Sequence, residues 1–400
     1  MAITDLSDAA LLHEKHAQIP GILREADIAC WMVWVRETSQ MADPVLPLLL
    51  ETDLVWPSAL LFTASGERVA LVGSYDAMGI PEGRFDRVVP YIEGVSDPLR
   101  EELSRIDPQT LAINESPNDV AADGLTAGMK LLLLQYLDGT PYQDRLVRAE
   151  SVVSRLRGRK TPTEIARITR AVEITEEILA DLWPKLHVGQ TETEIQHMVH
   201  DAMHEREAGA AWQAASDPAV DAGPDKPFGH GGPTGRQTTR GQLLHFDFGV
   251  RYRGYCSDLQ RMVFFGARED VPEDVRRAFD TVRGAIQEAA SVLRPGIRGV
   301  DVDTVARRFV EEHGYPAYRH ALGHQVGRHA HDGGTLLGPP WERYGNAPQG
   351  TVEAGNVFTL ELGVPTEQHG AVSLEEDVVV VDGGCRFLSN PQTELICLSG

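Results

Sequence analysis

The chain has 400 residues and a formal net charge of −22, from 59 acidic against 37 basic side chains. That charge argues against a sequence-independent grip on nucleic acid, which depends on clustered lysine and arginine to release counterions. With 42% hydrophobic and 24% charged residues the composition is that of a soluble globular protein, long enough for two or three domains and a large core without disulfide staples. The four cysteines, Cys30, Cys256, Cys385 and Cys397, form no C-x-x-C pair, so neither a zinc knuckle nor a redox motif is expected. Apolar runs such as Val45–Leu50 and Leu131–Leu134 fall far short of the ~20 residues that span a bilayer. The opening Met-Ala-Ile-Thr-Asp lacks a basic region followed by an apolar stretch. The expectation is a cytoplasmic protein with no membrane or nucleic-acid partner.

Residues 1 to about 155 read as mixed α/β. An amphipathic opening (Leu11, Ile19, Ile22, Leu23) leads to strand candidates at Trp31–Val35, Ala59–Thr63 and Val69–Val72. A helix candidate follows at Gly124–Leu137, and the basic stretch Arg155–Lys160 reads as a linker. Thr161-Pro162-Thr163-Glu164 is a capping box with proline at the first helical position. Thr191-Glu192-Thr193-Glu194 is a second capping box. A strand hairpin is predicted over residues 242–265. Helices are then predicted from Pro272 to Leu293 and over Asp301–His313, with Gly314 as the closing glycine of the second. Strand candidates follow at 356–364, 371–381 and 393–398. Two helices then strands, twice over, point to two related halves, with helices on one face of an antiparallel sheet: an α+β layout.

Three stretches carry chemistry. In Leu243–Asp258 the apolar alternation places Asp247 and Asp258 symmetrically about a turn near Tyr252–Gly254. Directly opposed on an antiparallel pair, their Cβ atoms would lie ~5 Å apart. Two carboxylates that close repel unless one is protonated or a cation sits between them. The second stretch, His320–Gly333, holds His320, His324, His329 and His331 among glycines. Imidazole supplies a neutral nitrogen ligand and shuttles protons near neutral pH; His329 reads as the bystander. The third places Glu361 within Thr359–Gly363 and Glu375 at the head of Leu374–Val380. A carboxylate inside such an apolar strand is costly to bury unpaired. Glu376 and Asp377 fit an outer face or a local bend. Asp247, Asp258, His324, Glu361 and Glu375 together suit two divalent ions such as Mn²⁺, Co²⁺ or Zn²⁺, which activate water and polarise a carbonyl.

The order D-x10-D, H-x2-G-H-x-x-G-x-x-x-H-D, E, then E-x-D-V resembles the methionine aminopeptidase / prolidase / aminopeptidase P superfamily of pita-bread metallopeptidases, with bacterial Xaa-Pro dipeptidases (prolidases) the nearest branch. The resemblance implies a pita-bread catalytic domain with pseudo-twofold halves over residues 157–400, preceded by a smaller creatinase-type α/β domain over residues 1–156. It implies that Asp247 binds one metal, that Asp258 and Glu375 bridge both, and that His324 and Glu361 complete the other. Glu361 is then also the general base. His230, His320 and His331 match the histidines that line the substrate pocket in the proline-specific branch. Preorganised donors of this kind stabilise charge developing on a carbonyl oxygen.

Two positions depart from the family. Ser373 stands where many relatives carry arginine, two residues before the last glutamate ligand, and Glu361-Leu362-Gly363-Val364-Pro365 replaces E-P-G-x-Y. A bidentate arginine is the natural partner of a free carboxylate, so Arg328, or Arg36 reaching over from a neighbouring subunit, is expected to take that role. The leading expectation is hydrolysis of the Xaa-Pro bond in dipeptides, in a homodimer, with Mn²⁺ the first choice of metal. The alternatives are an aminopeptidase P acting on longer peptides, a metal-dependent lyase, and a metal-free binding relative.

Overall fold

The computed structural model describes residues 6–224 and 231–398. The chain divides into two compact units, Met1–Arg157 and Gly158–Gly400. The first contains α1 (Asp8–Glu25), β1 (Cys30–Val35), β2 (Ser58–Thr63), β3 (Arg68–Gly73), α2 (Ser74–Ala77), β4 (Arg87–Tyr91), α3 (Ser96–Ile106), β5 (Leu111–Ile113), α4 (Ala127–Leu137), β6 (Leu146–Arg148) and most of α5 (Glu150–Gly158). Its mixed sheet runs β4-β3-β2-β1-β5-β6. Both faces of β1 are buried, so its sequence is continuously apolar rather than alternating. Leu99 and Leu103 of α3 and Met129, Leu133 and Leu137 of α4 pack with Met32, Trp34 and Leu61 of the sheet. Arg36 follows β1 and is exposed.

The boundary between the two units falls within Arg155–Lys160, but the segment is not a solvated linker. It closes α5, and Arg157 and Lys160 are only 3% and 5% exposed. Arg157 donates to the Pro44 carbonyl, and Lys160 meets a buried aspartate described below. The basic run owes its charge to internal partners rather than to solvent.

The second unit contains α6 (Pro162–Leu182), α7 (Glu192–Glu205), β7 (Gly209–Ala210), β8 (Ala219–Ala222), β9 (Leu243–Phe248), β10 (Val250–Tyr252), β11 (Tyr255–Cys256), β12 (Leu259–Phe265), α8 (Glu273–Val292), α9 (Gly299–Glu312), β13 (Val357–Pro365), β14 (Ala371–Val381), β15 (Gly384–Phe387) and β16 (Ile396–Leu398). Both capping boxes form: Thr161 with Glu164 starts α6, and Thr191 with Glu194 starts α7. The main sheet runs β13-β14-β12-β9-β8, with β15 against β14 and β16 against β12. One face buries apolar side chains under two helix pairs. Leu244, Phe246 and Phe248 pack with Ile178 and Ile195 of α6 and α7. Leu360, Leu362 and Leu374 pack with Phe279 and Val302 of α8 and α9. This repeated helix-helix-sheet arrangement is the expected α+β pita-bread layout.

The hairpin register differs from expectation by two residues. Phe248 pairs with Leu259 and Asp247 with Gln260, so Asp247 does not face Asp258. The turn is centred one residue later, because Arg253 (φ 46°) and Gly254 (φ 78°) take the two left-handed corner positions of a tight hairpin turn between Tyr252 and Tyr255. A shift of two preserves the side-chain face. Asp247 and Asp258 are therefore diagonal neighbours on one surface of the sheet.

Candidate metal centre

Four strands bring four polar side chains into one transverse row. Asp247 on β9 pairs with Gln260 on β12, Gln260 with Glu375 on β14, and Glu375 with Glu361 on β13. Directly paired residues share a face, so the row lies on the surface opposite the helices. Asp258 sits one step along that face. Asp258, His324 and Glu375 each offer a ligand atom within 4.8 Å of the others. His324 Nε2 is 3.8 Å from Asp258 Oδ2 and 3.6 Å from Glu361 Oε1.

His324 reaches the row because its segment runs alongside β13. Glu361 N donates to Leu322 O, Thr359 N to His324 O, and Val326 N to Val357 O. The approach is close at Gly323, where an added Cβ would stand 2.0 Å from the Thr359 carbonyl oxygen. Only glycine fits there. The far end of the segment is clamped by a buried ion pair, Lys160 Nζ to Asp332 Oδ2 at 2.9 Å, with the two side chains 1% and 3% exposed. Asp332 N in turn donates to Gln325 O. Removing one partner of a buried pair strands the other charge. Lys160→Met is expected to cost about 3–5 kcal/mol, and adding Asp332→Asn to recover much of it; urea unfolding of the three proteins checks both.

The row is electrostatically frustrated. Burial, then Asp247, pushes the Glu361 carboxyl up to about 8, against the opposing hydrogen bond from Gln260. Burial also raises Asp258 and Glu375 well above the usual carboxylate range, reinforced at Asp258 by Asp247, Asp377 and Glu361 and at Glu375 by Asp258, Glu361 and Asp247. His324 is driven down to about 3 by burial and by His331, whose ring lies 4.2 Å away edge-to-face. A neutral imidazole beside carboxylates that resist carrying their charges is a donor set suited to divalent cations. Glu375 Oε1 is buried with no hydrogen-bond partner among the described residues, which fits a ligand atom for a cation.

Residues 166–382, more than half of the sequence, match metallopeptidase family M24. The chain belongs to this family. An Xaa-Pro dipeptidase from Pyrococcus furiosus is 28% identical over 250 residues, 62% of this chain and 68% of that protein. Among solved structures, an Xaa-Pro dipeptidase from Bacillus anthracis superposes with a TM-score of 0.73 at 20% identity, covering 97% of this chain and 100% of that one. An X-Pro aminopeptidase from Thermotoga maritima gives 0.69 at 23%, covering 96% and 99%. These likenesses show the fold. The chain is a hydrolase of a divalent-metal-dependent family, and no helix among its described residues is long and apolar enough to cross a membrane.

Other sequence-predicted residues of this M24 chain are placed less centrally. His331 is exposed at its ring contact with His324, and His329 is also exposed. His320 sits at the start of the segment, its Nδ1 2.8 Å from the Ala321 carbonyl oxygen and its ring 5.2 Å from Tyr318. The Arg328 guanidinium stacks over Tyr255, 5.5 Å from its centroid, and lies against Gly254 of the hairpin turn. His230 lies outside the described residues.

Glu376 and Asp377 occupy neither an outer face nor a bend; they are 2% and 0% exposed. Glu376 accepts both ends of the Arg261 guanidinium fork, at 3.2 and 3.0 Å, on the helix side of the sheet. Asp377 Oδ2 accepts the Asp258 backbone N–H at 3.1 Å, which fixes the strand that carries Asp258. Gln260 and Ser373 also enter the site. Ser373, in the position of the missing arginine, donates to Gln260 Oε1 at 2.6 Å. The sequence signal for Gln260, Ser373 and Asp377 is their parity with the ligands: Gln260 with Asp258, Ser373 and Asp377 with Glu375.

Proposed function

We propose that this chain is an Xaa-Pro dipeptidase that holds two divalent ions, Mn²⁺ first among Mn²⁺, Co²⁺ and Zn²⁺, with Asp247, Asp258, His324, Glu361 and Glu375 as ligands. The observation that carries this reading is the convergence of Asp258 with the transverse row: three carboxylates, Asp258, Glu361 and Glu375, raised by burial and by neighbouring carboxylates around a neutral His324. The dipeptidase relative supports the substrate class. When bound, the ions would supply an acidic water and a Lewis acid for the carbonyl before proline. Glu361, a raised carboxyl with a partly open side chain, takes the proton of the attacking water and returns it to the proline nitrogen. His331, beside His324, donates toward the carbonyl oxygen; His230 has the same role, and His320 supports the pocket wall. Arg328, or Arg36 from the second copy of a homodimer, anchors the substrate carboxylate. Residues 1–156 form the creatinase-like domain and 157–400 the catalytic one.

The test is an assay of Mn²⁺-reconstituted protein on Gly-Pro and Leu-Pro against Xaa-Pro-Xaa tripeptides. Preferential, chelator-sensitive cleavage of the dipeptides is expected. Strong preference for tripeptides would replace the dipeptidase reading with aminopeptidase P. Absence of metal-dependent cleavage of either would end the peptidase reading.

A further inference from the structure

Gln260 lies in the transverse row between Asp247 and Glu375 and is 7% exposed. Its Nε2 donates to Glu361 Oε2 at 3.1 Å and to Glu375 Oε2 at 2.9 Å. Carboxylates held ionised by a cation would only accept, and the amide nitrogen is the end that faces them. The other end of the amide is held as well. Gln260 Oε1 receives the Ser373 hydroxyl at 2.6 Å and lies 3.0 Å from His245 Nε2. His245 Nδ1 in turn lies 3.0 Å from Asp221 Oδ2. Asp221, His245 and Ser373 are 3%, 3% and 4% exposed, so this chain of contacts is internal to the fold.

An amide has two orientations of nearly the same shape. In one, its oxygen faces the two glutamates and repels them. In the other, its N–H groups take one oxygen from each. The second leaves Glu375 Oε1, which has no hydrogen-bond partner among the described residues, and Glu361 Oε1, 3.6 Å from His324 Nε2, as the oxygens available to a cation. We propose that Gln260 is a positioning residue for the ligand carboxylates Glu361 and Glu375, and that Asp221, His245 and Ser373 lock its amide in the donating orientation. The inference rests on the two-metal reading above. It gives Ser373 a function: its hydroxyl is a short donor directed at Gln260 Oε1.

The experiment is titration of Co²⁺ into the full-length, metal-free protein, followed by calorimetry and visible absorption. Partners of this kind typically tune metal affinity by about 10–100-fold. Gln260→Met is expected to weaken Co²⁺ binding within that range and to alter the band intensity that reports ligand geometry. His245→Phe is expected to have a smaller effect alone and none in the Gln260→Met background, because the imidazole acts only through the amide. Unchanged affinity and spectrum in Gln260→Met would overturn the positioning role; additive losses would overturn the lock. If Gln260→Met does not fold, Ser373→Ala carries the test. The Ser373 hydroxyl also lies 3.0 Å from the Leu362 carbonyl oxygen; loss of its hydrogen bond to Gln260 predicts about 3–10-fold weaker binding, and wild-type affinity would refute it. A wild-type protein that takes up no Co²⁺ would remove the two-metal reading itself, a different failure from a wild type that binds and a variant that binds equally well.

Discussion

Replacing Asp258 with asparagine is expected to lower kcat/KM on a Xaa-Pro dipeptide by about a thousandfold or more, since metal assistance is worth several kcal/mol and each 1.36 kcal/mol is tenfold in rate. The side chain keeps its shape but loses a charge, and one of its oxygens becomes an N–H₂ that repels a cation. The same substitution should leave the metal-free protein at least as stable as wild type. Asp258 is buried and faces Asp247, Asp377 and Glu361, all of which disfavour its ionised form. A neutral amide relieves that repulsion. The paired result, lost turnover with a retained or raised melting temperature, separates a ligand from a structural residue. Isothermal calorimetry with Mn²⁺ and thermal unfolding in chelator give the two readings. A variant that binds Mn²⁺ like wild type and turns over normally would remove Asp258 from the ligand set.

The layout of the second unit was legible because its signals are local. Two capping boxes and long apolar periodicities define α6 to α9, and apolar runs define β13 and β14. The short strands β4, β5 and β6 of the first unit carry no such signal; they are held by neighbours in the sheet. The carboxylates of the transverse row were visible as polar side chains on apolar strands, but their mutual arrangement was not. Register depends on where a turn places its left-handed corners, and Arg253 is an unusual residue for one of them. The support around the row was hidden for a related reason. Gln260, Ser373 and Asp377 are ordinary polar residues until four strands are aligned, and only then does each fall beside a ligand. Arg157 and Lys160 misled in the opposite direction, because a basic run looks solvated unless its buried partners, distant in sequence, are known.

The melting temperature of the metal-free protein is expected to fall as pH rises from about 6.5 to 8, while that of the Mn²⁺-loaded protein stays nearly level. Glu361 has an ordinary value of 4.5 and is raised to about 8 in the fold. Across that interval the unfolded chain has lost the proton and the metal-free fold retains it, so the unfolded state binds fewer protons and stability declines with pH. Asp258 and Glu375 are shifted in the same direction. His324 works the other way: lowered from 6.5 to about 3, it makes stability climb with pH between those values and then contributes no further slope. Below pH 6.5 the two effects oppose each other; above it the carboxyls act without that opposition. Fully developed, the Glu361 shift corresponds to a few kcal/mol at 1.36 kcal/mol per unit. Cations between the carboxylates hold them ionised and cancel the penalty, so the stabilisation given by Mn²⁺ should widen toward pH 8 and proton release on binding should be measurable in buffers of different ionisation enthalpy. Parallel pH profiles with and without Mn²⁺ would mean that the row does not meet the metal.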